Sequence, residues 1–184
     1  MQKRSAQSFA GFENGDYRGC SMGYRAVLQA HHETVQDLEL SAKRRLDEAW
    51  VLHAAQKYHT AIYVAGLAAE MYLKTACFFL DGARPSHPVA ALLTQLRKNA
   101  YASPSKVDYE GGHGLSFLAE ELKFRRKNHR LRQTPRRFRR VIAQIATDWF
   151  IGMRYRPGSA TRENAAVFIT NVRWLALNHT YLRS

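Results

Sequence analysis

YHTAIYVAGLAAEMYLKTACFFL, residues 58–80, mixes small side chains (Ala61, Ala65, Gly66, Ala68, Ala69, Ala76) with Tyr58, Ile62, Leu73 and Phe79 at spacings of three and four. That is the period of a helix packed over much of its circumference, and its alanines let neighbouring helices come close. The stretch is long enough to cross a membrane. Glu70 and Lys74 lie in its second half, however, and charge at bilayer depth is costly, so a core helix is expected instead. The two charges are four apart with the acid first, the favourable order for an intrahelical pair.

Working towards the N-terminus, Val35, Leu38, Ala42, Leu46, Ala49 and Leu52 form a second apolar stripe from Thr34 to about Gln56, opposite Asp37, Lys43, Arg44, Asp47 and Glu48. Thr34 suits the N-cap. A very short break near Lys57 predicts that this helix and the next pack as an antiparallel hairpin. Residues 1–33 carry Gly11, Gly15, Gly19 and Gly23 without sustained periodicity and are read as an irregular arm, with Met22 an alternative start.

Towards the C-terminus, DGARPSHP (81–88) reads as a loop, with Pro88 opening a helix to about Tyr101. A second loop, SPSKVDYEGGHG, precedes a short helix from Leu115 to about Phe124. Thr134 and Pro135 then read as N-cap and first residue of a helix running through Phe138, Ile142, Ile145, Trp149 and Met153. RYRPGSA ends it, and a last helix runs from near Thr161 through Ala165, Phe168, Val172, Leu175, His179 and Leu182. No strand pattern or repeat is evident. The fold class expected is all-α, with residues 34–184 forming one up-and-down helical bundle that includes extra short helices.

At 184 residues the chain is long enough to bury a core without staples. Cys20 and Cys77 lie far apart, so a disulfide framework is not expected, and MQKRSAQSFAGFENG has no apolar h-region; both favour a cytoplasmic protein. The eight histidines include no pair three or four apart on a helix and there is no CxxC, which argues against zinc. No P-loop, GxSxG elbow or paired-carboxylate signature occurs. No cofactor is expected.

The net charge of +13 is unevenly distributed. Lys123 to Arg140 holds ten Lys or Arg and no acid; the remaining 18 basic residues are nearly balanced by 15 acidic ones. Such a segment suits a polyanion, RNA or a nucleotide above all. Arg125, Arg126, Lys127, Arg130, Arg136, Arg137, Arg139 and Arg140 are the candidate nucleic-acid-binding residues. Four of them crowd the start of the helix after Pro135, where cations oppose the helix dipole and an arriving phosphate would relieve them.

The run Ala61-Ile-Tyr-Val-Ala-Gly-Leu-Ala-Ala-Glu70-Met-Tyr-Leu73-Lys74, then His113-Gly-Leu115, then Trp149-x4-Arg154-Tyr155, resembles the prokaryotic HEPN domain family over residues 34–184. The resemblance implies a helical bundle, a homodimer, and a bacterial defence, toxin–antitoxin or RNA-processing setting, with an antitoxin or nucleotidyltransferase as partner. Many members are metal-independent ribonucleases with an Arg-x4-6-His signature assembled across the dimer. Arg173-x5-His179 has that spacing, as does Arg25-x5-His31 in the arm. Six helical positions rotate side chains by about 240°, so Arg173 and His179 diverge within one chain, and His179 falls on the apolar stripe. The family's functional arginine better matches Arg154, beside Tyr155, and no histidine follows it at the required distance. Arg154, Tyr155, Arg173 and His179 are the catalytic candidates. RNA or nucleotide binding is the expected function, with a metal-independent RNA endonuclease as the alternative and docking to an acidic partner protein as a further one.

Overall fold

A computed structural model of the chain describes residues 33–102, 113–155 and 158–184. It contains α1 (Val35–Ala54), α2 (Tyr58–Leu80), α3 (Val89–Ala102), α4 (Leu115–Asn128), α5 (Arg136–Asp148), a 3-10 turn (Ile151–Tyr155) and α6 (Arg162–Leu182). The described residues contain no strand, only an isolated bridge between Thr34 and Pro88. The expected arm, and Cys20 with it, lies outside the described residues apart from its last position.

The centre is α2, as its alanines require. Ala61, Ala65, Ala68, Ala69 and Ala76 are fully buried, and α1, α4 and α6 pack around it. Its apolar window passes the length and composition test for a membrane span, yet 72% of that window is buried within the protein. Directions follow from contacts at the ends. The segment leaving α2 returns to the start of α1, where Val35 N donates to His87 O and Gln36 N to Pro85 O, so α1 and α2 are antiparallel. Glu70 meets His113 and Asp81 meets Arg125, so α4 runs parallel to α2. His179 at the end of α6 reaches Thr75, while His59 at the start of α2 reaches Met153, just ahead of α6. The result is an up-and-down bundle.

Gly66 marks the tightest approach. A Cβ there would lie 2.0 Å from Trp149 Nε1. Glycine therefore lets the indole lie against the helix and donate to Tyr63 O at 3.1 Å. Cys77 is also enclosed; burial pushes its thiol up to about 12, which leaves it protonated and unreactive at neutral pH.

Four local expectations are corrected. Pro88 sits in the bridge to Thr34, because Val89 N donates to Glu33 O, and α3 begins at Val89. The fourth helix runs beyond Phe124 to Asn128 because its inward face, Leu118 and Leu122, is continued by Arg125 and Arg126 rather than by apolar residues. Pro135, not Thr134, is the N-cap of α5, and no side chain caps that end. The helix stops at Asp148 instead of continuing through Met153, because Trp149 turns extended (φ −130, ψ 135) to lay its indole on α2.

Thr34 and Thr161 both form capping boxes, with Asp37 and Asn164. Three helices end in the same motif, a left-handed residue followed by a 6→1 backbone hydrogen bond. At the end of α2 this residue is Gly82 (φ 81); after α1 it is Gln56 (φ 60), and after α4 it is Arg130 (φ 54).

Candidate nucleic-acid interface

The ten cations of the basic run divide sharply. Arg125 and Arg126 are 6% and 2% exposed. Arg125 Nε donates to both carboxylate oxygens of Asp81, at 2.9 and 3.0 Å, and Arg125 also pairs with Glu121. Arg126 reaches the far end of α6, where Nη1 donates to Tyr181 O (2.8 Å), Leu182 O (2.7 Å) and Ser184 O (3.1 Å), and Nη2 to Arg132 O (3.0 Å). Those α6 carbonyls have no partner within their own helix, and a cation there also complements the negative end of the helix dipole. The expectation that these two arginines contact nucleic acid is therefore corrected: they hold the bundle together.

The other cations remain at the surface. The turn after Asn128 is closed by Arg130 N to Lys127 O and Leu131 N to Arg126 O, both at 3.0 Å. It folds the chain back across the end of α4 and leaves a cleft of about 470 Å³ between α4, residues 131–134 and α5. Lys123, Lys127, Arg130, Arg132 and Arg139 line it, with the buried Arg126 also at its wall. Arg126 Nε has no hydrogen-bond partner. Lys123 is paired with Glu120, whereas among the described residues no carboxylate pairs with Lys127, Arg130, Arg132 or Arg139. Arg136, Arg137, Arg139 and Arg140 are exposed around the uncapped start of α5. A non-glycine residue in the left-handed region carries about 1–2 kcal/mol of backbone strain, so Arg130 is held in its place against a local preference for glycine. Sequence reasoning did not single out Arg132 or this strain; neither has a signature in residue type or spacing.

The four catalytic candidates do not converge within the chain. Arg154 and Tyr155 end the 3-10 turn, both exposed, with the guanidinium 4.5 Å from the ring centroid. Arg173 is exposed on α6. His179, six positions on, is 3% exposed, between Thr75 Oγ1 at 2.9 Å and Glu39 Oε1 at 3.2 Å. Burial holds its imidazole below the usual histidine range, with Glu39 acting in the opposite direction. Nδ1 faces Glu39 and Nε2 faces Thr75, whose hydroxyl also lies within donating distance of the Met71 and Tyr72 carbonyls, at 3.0 and 3.1 Å. The 3-10 turn lies against the start of α2 through His59, whereas His179 lies against Thr75, sixteen residues further on, about 24 Å along the helix.

The conspicuous motif residues meet each other. Gly66 receives Trp149, and Glu70 accepts from His113 Nδ1 at 2.9 Å and from Lys74. His59 donates to Met153 O at 3.2 Å and lies under Gly158, where a Cβ would approach its Cγ to 1.8 Å. These contacts tie the loops to α2. The Glu70–Lys74 pair was legible from its spacing; the other contacts join residues distant in sequence, which spacing does not pair.

The fold and its cleft define an all-α bundle with a basic end. Residues 35–106 match the family model described as the HEPN domain, and the match supports assigning the chain to that family. No curated protein and no solved structure matches the chain.

Proposed function

We propose that this HEPN-domain protein binds RNA through the cleft between α4 and α5. The observation that carries the reading is the set of four cleft cations, Lys127, Arg130, Arg132 and Arg139, without carboxylate partners among the described residues and beside an uncapped helix start. Phosphates neutralise such a set and release their counterions, and the free N–H groups of α5 add donors that a phosphate oxygen accepts. The family suggests a defence or toxin–antitoxin setting and a homodimer, and both belong to this proposal.

Binding is preferred over cleavage as the activity of a single chain. Strand scission by attack of a 2′-hydroxyl needs a proton-transfer group near the arginine that stabilises the phosphorane. His179 is enclosed and distant from Arg154, and a tyrosine hydroxyl such as that of Tyr155 is a weak proton acceptor. The experiment is equilibrium binding of a labelled RNA to the wild-type protein and to the variant with Lys127, Arg130, Arg132 and Arg139 changed to alanine, with the RNA recovered in EDTA. Weakened binding by the variant and intact RNA are expected. Unchanged affinity removes the binding reading, and cleavage lost on Arg154→Ala restores the enzymatic one.

A further inference from the structure

Of the seven large hydrophobic residues that the described chain leaves exposed, three lie on α6: Val167 (57%), Leu177 (74%) and Tyr181 (38%). With the half-buried Trp174 they recur at spacings of seven, three and four. Those spacings bring all four into one stripe, within about 80° of the circumference and extending about 21 Å along the helix. This stripe is separate from the buried one (Ala165, Phe168, Val172, Leu175, His179, Leu182) that faces the core. The helix is therefore largely apolar on two sides, with the exposed Thr170 the polar position within the outer stripe, and one side is covered by the protein itself.

The flanks of the stripe are cationic. Arg137 of α5 lies over Trp174, with Cζ 5.5 Å from the ring centroid. Arg140 and Val167 line the same shallow depression of about 400 Å³, whose far end carries Asp148. Arg173, exposed, borders Trp174 on the opposite side, one residue or 100° round the helix. Arginine stacked on an aromatic ring keeps its charge and donors available at the rim.

We propose that this face of α6, with its rim on α5, docks an acidic amphipathic helix of a partner protein. An apolar stripe at helical spacing is met by the apolar face of another helix through anchors three and four apart. Arg137, Arg140 and Arg173 then select glutamate or aspartate at the partner's flanking positions, as charges beside a helical seam set partner choice. The same three arginines disfavour a second copy of this chain, because like charges would be brought together around the seam. The end of the stripe adjoins the cleft, since the Tyr181 ring lies against Arg126 and its hydroxyl donates to Gln133 O, but Val167, Trp174, Leu177 and the three arginines are not part of the cleft lining, so the inference does not rest on the RNA-binding reading.

The test uses the full chain and two synthetic 21-residue helical peptides with identical leucines at the seam positions, one flanked by glutamate and the other by lysine. The glutamate peptide is expected to bind at least tenfold more tightly. Leu177→Ser and Val167→Ser should each weaken it about tenfold while leaving RNA affinity unchanged; Leu177 is so exposed that its replacement does not threaten the fold. Trp174→Phe, which keeps a ring beneath Arg137, should retain peptide affinity. Failure of the glutamate peptide to bind, equal binding of the two peptides, or insensitivity to Leu177→Ser overturns the proposal. So does sedimentation showing that Leu177→Ser dissociates a homodimer, which makes a second copy the occupant.

Discussion

Arg126 and Arg130 are four residues apart in one uninterrupted basic run, and their circumstances are opposite. Arg126 is 2% exposed and engaged with four backbone carbonyls; Arg130 is exposed, in a strained backbone conformation, and lines a cleft with Lys127, Arg132 and Arg139, none of which pairs with a carboxylate among the described residues. One supports the fold at the expense of any ligand role. The other sits where local stability would favour glycine. A run of like charges is thus not one functional unit; the direction that each side chain takes from its helix decides what it does.

The largest effect that distinguishes the two is expected from Arg126→Ala. Removing a charged donor from buried carbonyls should destabilise the protein by about 3 kcal/mol or more. For a domain of this size that lowers the melting temperature by about 6–12 °C, read by circular dichroism. A change under about 1 kcal/mol would mean that water replaces the guanidinium without loss, and the contrast with Arg130 would collapse.

Next in size is the reverse behaviour of the cleft. Arg130→Ala with Arg139→Ala should reduce RNA affinity about tenfold, a difference of 1.4 kcal/mol, and shift stability by less than about 0.5 kcal/mol. A variant that loses stability instead would place these arginines in the structural class.

A third measurement probes the buried end of α6. The folded-state pKa of His179 lies below its ordinary 6.5, so below that pH the unfolded chain binds the proton more readily than the folded one. The stability contributed by the neutral ring is present above pH 6.5 and declines as pH falls below it, by at most about 1.4 kcal/mol per pH unit for one proton. Denaturant melts from pH 8 to pH 5 should show this decline in the wild type and a weaker one in His179→Gln. Equal profiles would remove His179 as the responsible group.

The smallest effect separates strain from binding at a single position. Arg130→Gly should gain up to about 1 kcal/mol of stability by relieving the left-handed backbone, while weakening RNA binding. Opposite signs are the prediction; a loss of both would show that the Arg130 side chain packs structurally.

The central helix, the α1–α2 hairpin, the cap at Thr34 and the start of the last helix near Thr161 were legible in the sequence, because periodicity and capping are local properties. What escaped were features set by tertiary contact. The inward turn of Arg125 and Arg126 lengthened α4 past its apolar stripe. The pull of Trp149 onto Gly66 shortened α5, although both residues stood in recognised motifs. The basic segment was correctly located, but which of its arginines remain exposed depends on the end of α6, more than forty residues away. The spacing Arg173-x5-His179 was present in the sequence, and helical geometry foretold that its two members diverge.

The proposed role of the exposed cations is tested most directly by the salt dependence of RNA binding. For a single-stranded RNA, about four phosphate contacts predict a slope of about −3 in log K against log salt for the wild type. With Lys127, Arg130, Arg132 and Arg139 changed to alanine, the slope should approach zero and affinity should fall at every salt concentration. A wild-type slope near zero, or one unaltered by the four substitutions, would contradict the account.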